Sequence, residues 1–308
     1  GDRHNEARVL GNIGVIYEKQ MSYTEAIDNF EQSLAIFREM GDRRNQGIFL
    51  GNMGNIHQRM GSSKEALSFY RKSLEIHREL GDKRNEGIFL GNIGIVYKQQ
   101  GEYERSLTYY KAALEIQREI GNRRSEGVVL SNMASIYRNL GQYESALSSY
   151  EQSLEIHKEI GNRRSEGITL GNSGDLLALM GRFDEAKEAF VCAIDICDDT
   201  FAIAAGVFRG SMALINAKTG ILEQSEILKK GEEQVKVYPQ EHAKFLCKKG
   251  QVELIMNKKE RAIISCAEAQ RMAVELNAKE GSELMNMIKE LTDLIGAQDT
   301  VNPSLGEA

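Results

Sequence analysis

Along residues 44–80 the apolar side chains fall into two blocks separated by a polar break. Ile48, Leu50, Met53, Ile56 and Met60 recur at spacings of two to four, Gly61-Ser62-Ser63-Lys64-Glu65 interrupts them, and Ala66, Leu67, Phe69, Tyr70, Leu74, Ile76 and Leu80 resume. Recurrence at three and four residues puts side chains on one stripe of a helix, whereas a strand alternates every second residue. The pattern predicts a helix over roughly 44 to 60, a tight turn, a helix over roughly 64 to 80, and no strand. Ser62 followed three residues later by Glu65 has the spacing of a capping box.

The same pattern returns with a fixed period. Gly41, Gly81, Gly121 and Gly161 each open G-[DN]-[RK]-R-[NS]-[EQ]-G, an offset of 40 residues. Periods of this size build solenoids or propellers, in which each unit buries its apolar face only against its neighbours. Two helices per period predict a stack of helical hairpins: five regular copies over residues 1–200, then two degenerate ones over 201–278. In the degenerate region, Phe201 to Gly220 pairs with Glu223 to Val237, Tyr238-Pro239 breaks the chain, and Glu241 to Met256 pairs with Lys259 to Leu276. Residues 279–296 predict a closing helix that covers the last apolar face, and 297–308 a frayed tail. One continuous solenoid is expected, and because Gly1 stands inside the loop motif, a fragment of a longer chain.

Fixed slots within each copy carry a family resemblance. A small residue stands in the first helix (Gly14, Gly54, Gly94, Ala134, Gly174), followed by Tyr17, His57, Tyr97 and Tyr137, with Leu177 departing. Gly61, Gly101, Gly141 and Gly181 precede the second helix, which carries Ala26, Ala66, Ser106, Ala146 and Ala186 and then Phe30, Tyr70, Tyr110, Tyr150 and Phe190. Each unit resembles a tetratricopeptide repeat. The 40-residue length and the missing closing Pro resemble the extended subclass found in Leu-Gly-Asn adaptors and bacterial signalling proteins; Leu10-Gly11-Asn12, Leu50-Gly51-Asn52, Leu90-Gly91-Asn92 and Leu170-Gly171-Asn172 show that tripeptide, and Leu130-Ser131-Asn132 varies it. The resemblance implies an all-α, right-handed α-solenoid with a C-terminal closing helix, whose first helices line a concave groove.

Positions 48, 52, 55 and 59 follow i, i+4, i+7, i+11 and share one face of the first helix. Carried to the other copies, that face offers Arg8, Asn12, Val15 and Lys19, then Ile48, Asn52, Asn55 and Arg59, then Ile88, Asn92, Ile95 and Gln99. It continues with Val128, Asn132, Ser135 and Asn139 and ends with Ile168, Asn172 and Asp175. An asparagine carries a donor and an acceptor, so a row of them can bond the backbone of an extended peptide whatever its side chains. A structural role, with each Asn satisfying contacts between helices, stands equally open. Gly54 reads as close packing between paired helices, and Gly51 as a groove-side site where a missing side chain lets a ligand backbone approach.

Charge and composition narrow the partners. A net charge of -6 lacks the basic footprint of a nucleic-acid or anionic-membrane binder, so no nucleic acid and no membrane are expected. No apolar run approaches the ~20 residues of a membrane span, and the first residues lack the core of a signal peptide, which predicts a cytoplasmic protein. The basic pairs Arg43-Arg44, Lys83-Arg84, Arg123-Arg124 and Arg163-Arg164 either meet an acidic partner or pair with nearby acids such as Glu39, Glu79, Glu86, Glu126 and Glu166; pairing is the favoured reading. Cys192, Cys197, Cys247 and Cys266 have no metal or disulfide spacing, and His57, one of five histidines in repeat slots, reads as a core substitute for an aromatic. No catalytic motif is present, and Lys218-Thr219-Gly220 falls at a helix-helix turn. No catalytic residue, metal or cofactor is expected. The sequence reads as a non-catalytic module that binds a protein or peptide segment, the interaction or sensor arm of a signalling protein. Alternatives are a peptide-responsive switch resembling quorum-sensing regulators and an array self-associating through its N-terminal repeat face.

Overall fold

A computed structural model describes residues 2–301. It is an all-α solenoid; fifteen helices and no strand occur among the described residues. In chain order α1 (Arg3–Lys19) pairs with α2 (Tyr23–Glu39), α3 (Arg43–Arg59) with α4 (Ser63–Glu79) and α5 (Lys83–Gln99) with α6 (Tyr103–Glu119); α7 (Arg123–Asn139) and α8 (Tyr143–Glu159) follow. Then come α9 (Arg163–Leu179) with α10 (Phe183–Thr200), α11 (Ala202–Lys218) with α12 (Ser225–Val235), α13 (Pro239–Ile255) with α14 (Lys259–Glu275), and α15 (Glu283–Val301). The final helix runs past residue 296, where a tail was expected to begin, and residues 302–308 lie outside the described part. The chain divides into two compact units, Gly1–Ser149 and Tyr150–Ala308.

The repeated loop motif is a stop signal fused to a start signal. At the end of α2, Gly41 takes φ 72°, its N–H donates to Arg38 O at 3.1 Å, and Asp42 N–H donates to Phe37 O at 2.9 Å, which together satisfy the last carbonyls of the helix. Asp42 at once caps α3, accepting from Asn45 N–H at 3.0 Å, and Asn45 Nδ2 donates back to the other carboxylate oxygen at 2.7 Å. Copies with Asn in the first slot carry Ser in the second: Asn122 Nδ2 donates to Ser125 Oγ at 3.0 Å and Asn162 Nδ2 to Ser165 Oγ at 2.9 Å. The D…N and N…S pairs are thus alternative solutions of one cap. The capping box expected at Ser62 is different: Ser62 holds the N-cap position of α4 but its side chain makes no cap hydrogen bond.

In the first unit, glycines set how closely helices approach. Within a pair, a Cβ at Gly54 would lie 2.6 Å from the Tyr70 ring, and one at Gly14 would lie 2.6 Å from Phe30, so these positions are closed by intrapair packing. The Leu-Gly-Asn glycine does something else. A Cβ at Gly51 would stand 2.2 Å from the ring of Phe89, and one at Gly11 would stand 2.2 Å from Phe49. Each Phe belongs to the first helix of the following pair, so Gly51 is a socket for the next repeat rather than an approach for a ligand backbone. The inserted rings then reach the preceding second helix. Phe49 lies 5.6 Å from both Phe30 and Phe37, and Phe89 stacks on His77 at 5.4 Å. Phe30, Phe37, Tyr70 and Tyr110 are at most 1% exposed, making an aromatic spine along the second helices.

The second unit repeats the device once: a Cβ at Gly171 would meet Phe208 at 2.1 Å, and Phe208 lies 6.2 Å from Phe190. Its periodicity then breaks, because Phe201 alone caps both the end of α10 and the start of α11. A buried ionic clamp secures that corner. Arg209, 6% exposed, donates to both oxygens of Asp198 at 2.6 Å, while Lys230 and Gln234 add bonds to Asp198 at 2.9 and 2.8 Å. The Arg209 hydrogen bonds hold the Asp198 carboxyl far below the usual carboxylate range despite burial, which acts the other way. At the far end, Leu284, Ile288 and Leu291 of α15 bury against α13 and α14.

Candidate functional site

The first helix of each pair presents the face that periodicity singled out. In the first unit, α1 places Arg8, Asn12 and Lys19 on exposed positions, and α3 places Asn52 and Asn55 half-buried with Arg59 exposed. Asn92 is half-buried and Gln99 exposed on α5; Asn132 and Ser135 are half-buried and Asn139 exposed on α7. The gradient follows helix geometry: the residue in the Asn slot adjoins the buried Met53 along the chain and so borders the packed side of the helix, and the residue at the helix end projects into solvent. Asn172 and Asp175 occupy the matching half-buried positions on α9, in the second unit.

The structure ties some of these residues together and leaves others unpaired. Asn92 Nδ2 donates to Asn55 Oδ1 at 3.3 Å and Gln58 Nε2 to Gln99 Oε1 at 3.4 Å, linking α3 to α5. Asn55, Gln58, Arg59, Asn92 and Gln99 line a polar recess of about 440 Å³. Arg59 reaches Glu18 on α1 at 3.5 Å, and Ser135 accepts from Lys98 at 2.6 Å while donating to Asn132 O at 2.8 Å. By contrast the side chains of Asn12, Asn52, Asn132 and Asn172 make no hydrogen bond among the described residues. A half-buried amide with unused donors and acceptors has the chemistry to bond a passing peptide backbone.

Sequence reasoning missed Gln58, Lys98 and Glu18, which lie one position from the chosen ones. A signal existed in the spine: where the copies carry Tyr instead of Phe, a buried hydroxyl has to find a partner. The Tyr70 hydroxyl lies 2.8 Å from Asn55 Oδ1 and 2.7 Å from Gln58 Oε1, so the spine and the face share a network. Burial, with a smaller opposing effect of Arg59, pushes the Tyr70 phenol up. In the next copy Ile95 replaces the Asn, and the Tyr110 hydroxyl is buried without a hydrogen-bond partner among the described residues.

The remaining candidates sort by contact. His57 is half-buried and stacks on Phe69 at 5.1 Å; His77 is fully buried, and that burial lowers its pKa against the raising effect of Asp82. No group of three or more His, Cys, Asp or Glu is arranged to hold a metal among the described residues, and no described helix is long and apolar enough to cross a membrane. In the second unit α11, α13 and α15 enclose a cleft of about 1190 Å³ that periodicity did not indicate, lined by Leu214, Lys218, Gln251, Leu254, Ile255 and Leu294 among others.

The basic loop pairs divide by position. The first member of each is engaged: Arg3 with Glu39, Arg43 with Glu79 at 2.5 Å, Lys83 with Glu86 at 3.3 Å, Arg123 with Glu126 at 2.7 Å and Arg163 with Glu166 at 2.9 Å. The second member is held weakly or not at all. Arg44, with 72% of its side chain exposed, makes only a long 3.8 Å ion pair with Asp82, and Arg84 and Arg124 are exposed without a partner among the described residues. In the second unit Arg164 lies over the Phe201 ring at 3.9 Å.

Comparison with known proteins agrees with the repeat geometry. Family models described as tetratricopeptide repeat match residues 7–39, 45–119 and 125–199. No curated protein matches the sequence. Among solved structures, a tetratricopeptide repeat protein from Parabacteroides merdae ATCC 43184 is 21% identical over 96% of this chain and 100% of its own, with a TM-score of 0.64. Aspartyl phosphate phosphatase F from Bacillus subtilis is 13% identical over 91% of this chain and 71% of its own, TM-score 0.72. The apo form of the quorum sensor NprR from B. thuringiensis is 18% identical over 92% of this chain and 86% of its own, TM-score 0.60. Identities this low establish a shared fold.

Proposed function

Since the chain belongs to the tetratricopeptide repeat family, we propose that it is a non-catalytic scaffold that holds a protein or peptide segment on the face formed by its first helices. The observation that carries this reading is the asparagine row, exposed at Asn12 and half-buried at Asn52 and Asn132, whose side chains at these three positions have no internal partner. Were the row only a packing device, its amides would be expected to bond within the fold as Asn92 does with Asn55. An extended segment crossing the row would gain backbone hydrogen bonds there, while Ile48, Ile88 and Val128 beside it would take apolar side chains. The likeness to a quorum sensor favours a second use of the same face, in which the bound segment shifts the array between two arrangements. The role is that of an interaction or sensor arm.

Affinity capture from cell lysate with the wild-type chain and with an Asn12→Ala, Asn52→Ala, Asn132→Ala variant, shown to be equally helical by circular dichroism, tests the reading. A partner retained by the wild type and lost by the variant supports it. Equal retention by both proteins refutes it and redirects attention to the cleft between α11, α13 and α15. Small-angle scattering of the chain with the captured segment separates passive holding, which leaves the dimensions unchanged, from a switch, which alters them.

A further inference from the structure

The doubled basic residue of the loop motif separates into a structural cation and one that is loosely paired at Arg44 and unpaired at Arg84 and Arg124 among the described residues. Arg43 and Arg123 are held by carboxylates, whereas Arg44, Arg84 and Arg124 occupy the second position of α3, α5 and α7 and project outward. Helical arithmetic fixes where they point. Residues 44, 48, 52, 55 and 59 are separated by four, four, three and four positions, so Arg44 lies on the stripe that carries Ile48, Asn52 and Asn55, one turn before the isoleucine. The same holds for Arg84 with Ile88 and Asn92, and for Arg124 with Val128 and Asn132. Ile88 and Val128 are 38% and 44% exposed, so the first unit presents a basic row, an apolar row and an amide row side by side.

Two physical facts argue that this basic row faces something outside the fold. A cation in the first turn opposes the positive end of the helix dipole, an unfavourable placement repeated in α3, α5 and α7. The acids that could neutralise it are already engaged: Asp42 and Asp82 cap helices, Glu86 receives Arg78 and Lys83, and Glu126 receives Arg118 and Arg123. Burial tends to raise Glu86 and Glu126, yet those charge-assisted bonds outweigh it and hold both carboxyls below the usual range. Arg84 and Arg124 are therefore locally uncompensated, and Arg44 has only its long contact with Asp82, in a chain whose net charge is -6.

We infer that the segment received by the first unit is acidic and partly apolar, its carboxylates meeting Arg44, Arg84 and Arg124 and its aliphatic side chains resting on Ile48, Ile88 and Val128. The inference rests on the proposed binding face and adds the chemistry of its occupant. Charge complementarity of this kind sets partner choice and encounter rate and weakens as salt rises.

Fluorescence anisotropy with three labelled peptides of roughly twelve residues, alternating Glu–Leu, Lys–Leu and Ser–Leu, tests it; at ~3.3 Å per extended residue such peptides can cross several helices. The Glu–Leu peptide is expected to bind tightest and to weaken with salt. An Arg84→Ala, Arg124→Ala variant should weaken it roughly tenfold, taking up to ~1 kcal/mol for each exposed pair lost. Arg43→Ala, which removes only an internal ion pair, should leave binding unchanged. The inference is overturned if no probe binds, if the Lys–Leu or Ser–Leu peptide binds as tightly, or if the double arginine variant retains the Glu–Leu peptide. A Ser–Leu peptide that binds and is lost on Asn12→Ala, Asn52→Ala, Asn132→Ala would overturn the acidic preference and keep the binding face. Arginine-dependent binding indifferent to those asparagines would instead remove the face on which the inference rests.

Discussion

Gly51 and Gly91 occupy the same slot of successive repeats, and the structure assigns them opposite responses to alanine. At Gly91 an added Cβ meets nothing within 4 Å, so Gly91→Ala should express the helix-propensity difference, a gain of about 0.5–1 kcal/mol. At Gly51 the same atom would stand 2.2 Å from two atoms of the Phe89 ring, which is 6% exposed and held by its stacking on His77 at 5.4 Å. That ring cannot swing aside without disturbing the spine, and overpacking of a close-packed core costs about 1–3 kcal/mol. Gly51→Ala should therefore be destabilising, lying about 2–3 kcal/mol below Gly91→Ala in urea unfolding followed by far-ultraviolet circular dichroism, with slopes compared to confirm that the same transition is read. Phe89→Val should relieve the clash, because α7 carries Val129 in the Phe slot and Gly91 lies in open space. A Gly51→Ala, Phe89→Val double variant should thus be more stable than the sum of the single changes by at least ~1 kcal/mol. Equal stability of Gly51→Ala and Gly91→Ala would refute the socket and return Gly51 to the role of a ligand approach.

The spine and the corner clamp give two more tests. Tyr70→Phe should cost about 1 kcal/mol by removing the hydroxyl that bonds Asn55 and Gln58, whereas Tyr110→Phe should be neutral or stabilising because its hydroxyl is buried without a partner; paired melting curves distinguish them, and an equal loss in both would contradict the hydrogen-bond assignment. Arg209→Ala should destabilise the second unit by about 3 kcal/mol or more, since it leaves Asp198 without its principal counter-charge. The folded pKa of Asp198 is depressed, so its contribution is complete above the unfolded value near ~3.9 and disappears as pH falls below it; the acid-induced loss between about pH 4 and 2 should shrink in Asp198→Asn, and an unchanged acid profile would refute the clamp.

Much of this architecture was legible because the sequence repeats its solutions. The 3.6-residue stripe located the helix pairs, and the repeated slots marked Gly54 as a site of close packing between paired helices, which the Tyr70 ring fills. Positions whose meaning depends on the next copy were harder. Gly51 resembles a groove residue when one helix is read alone, and only the ring of Phe89, 38 residues later, shows it to be filled. Ser62 has the spacing of a cap without its hydrogen bond, while the working cap hides in the loop motif as coupled D…N and N…S choices. Arithmetic assigned the asparagines to one stripe of the first helices, but which of them is free depends on neighbours: Asn92 is bonded because α3 offers Asn55, and Asn52 is unbonded because Val15 stands in the corresponding slot of α1. The basic pairs were treated as one feature, and distance to a carboxylate separated them into two.

The central claim is that a partner segment lies across the free asparagines of the first unit. It is tested most directly by titrating the captured segment against the wild-type chain and the Asn12→Ala, Asn52→Ala, Asn132→Ala variant by isothermal calorimetry. At about 1 kcal/mol for each hydrogen bond lost, the variant should bind about 3 kcal/mol more weakly, on the order of 100-fold in Kd, with an unchanged unfolding transition. Equal affinity in a folded variant would contradict the claim.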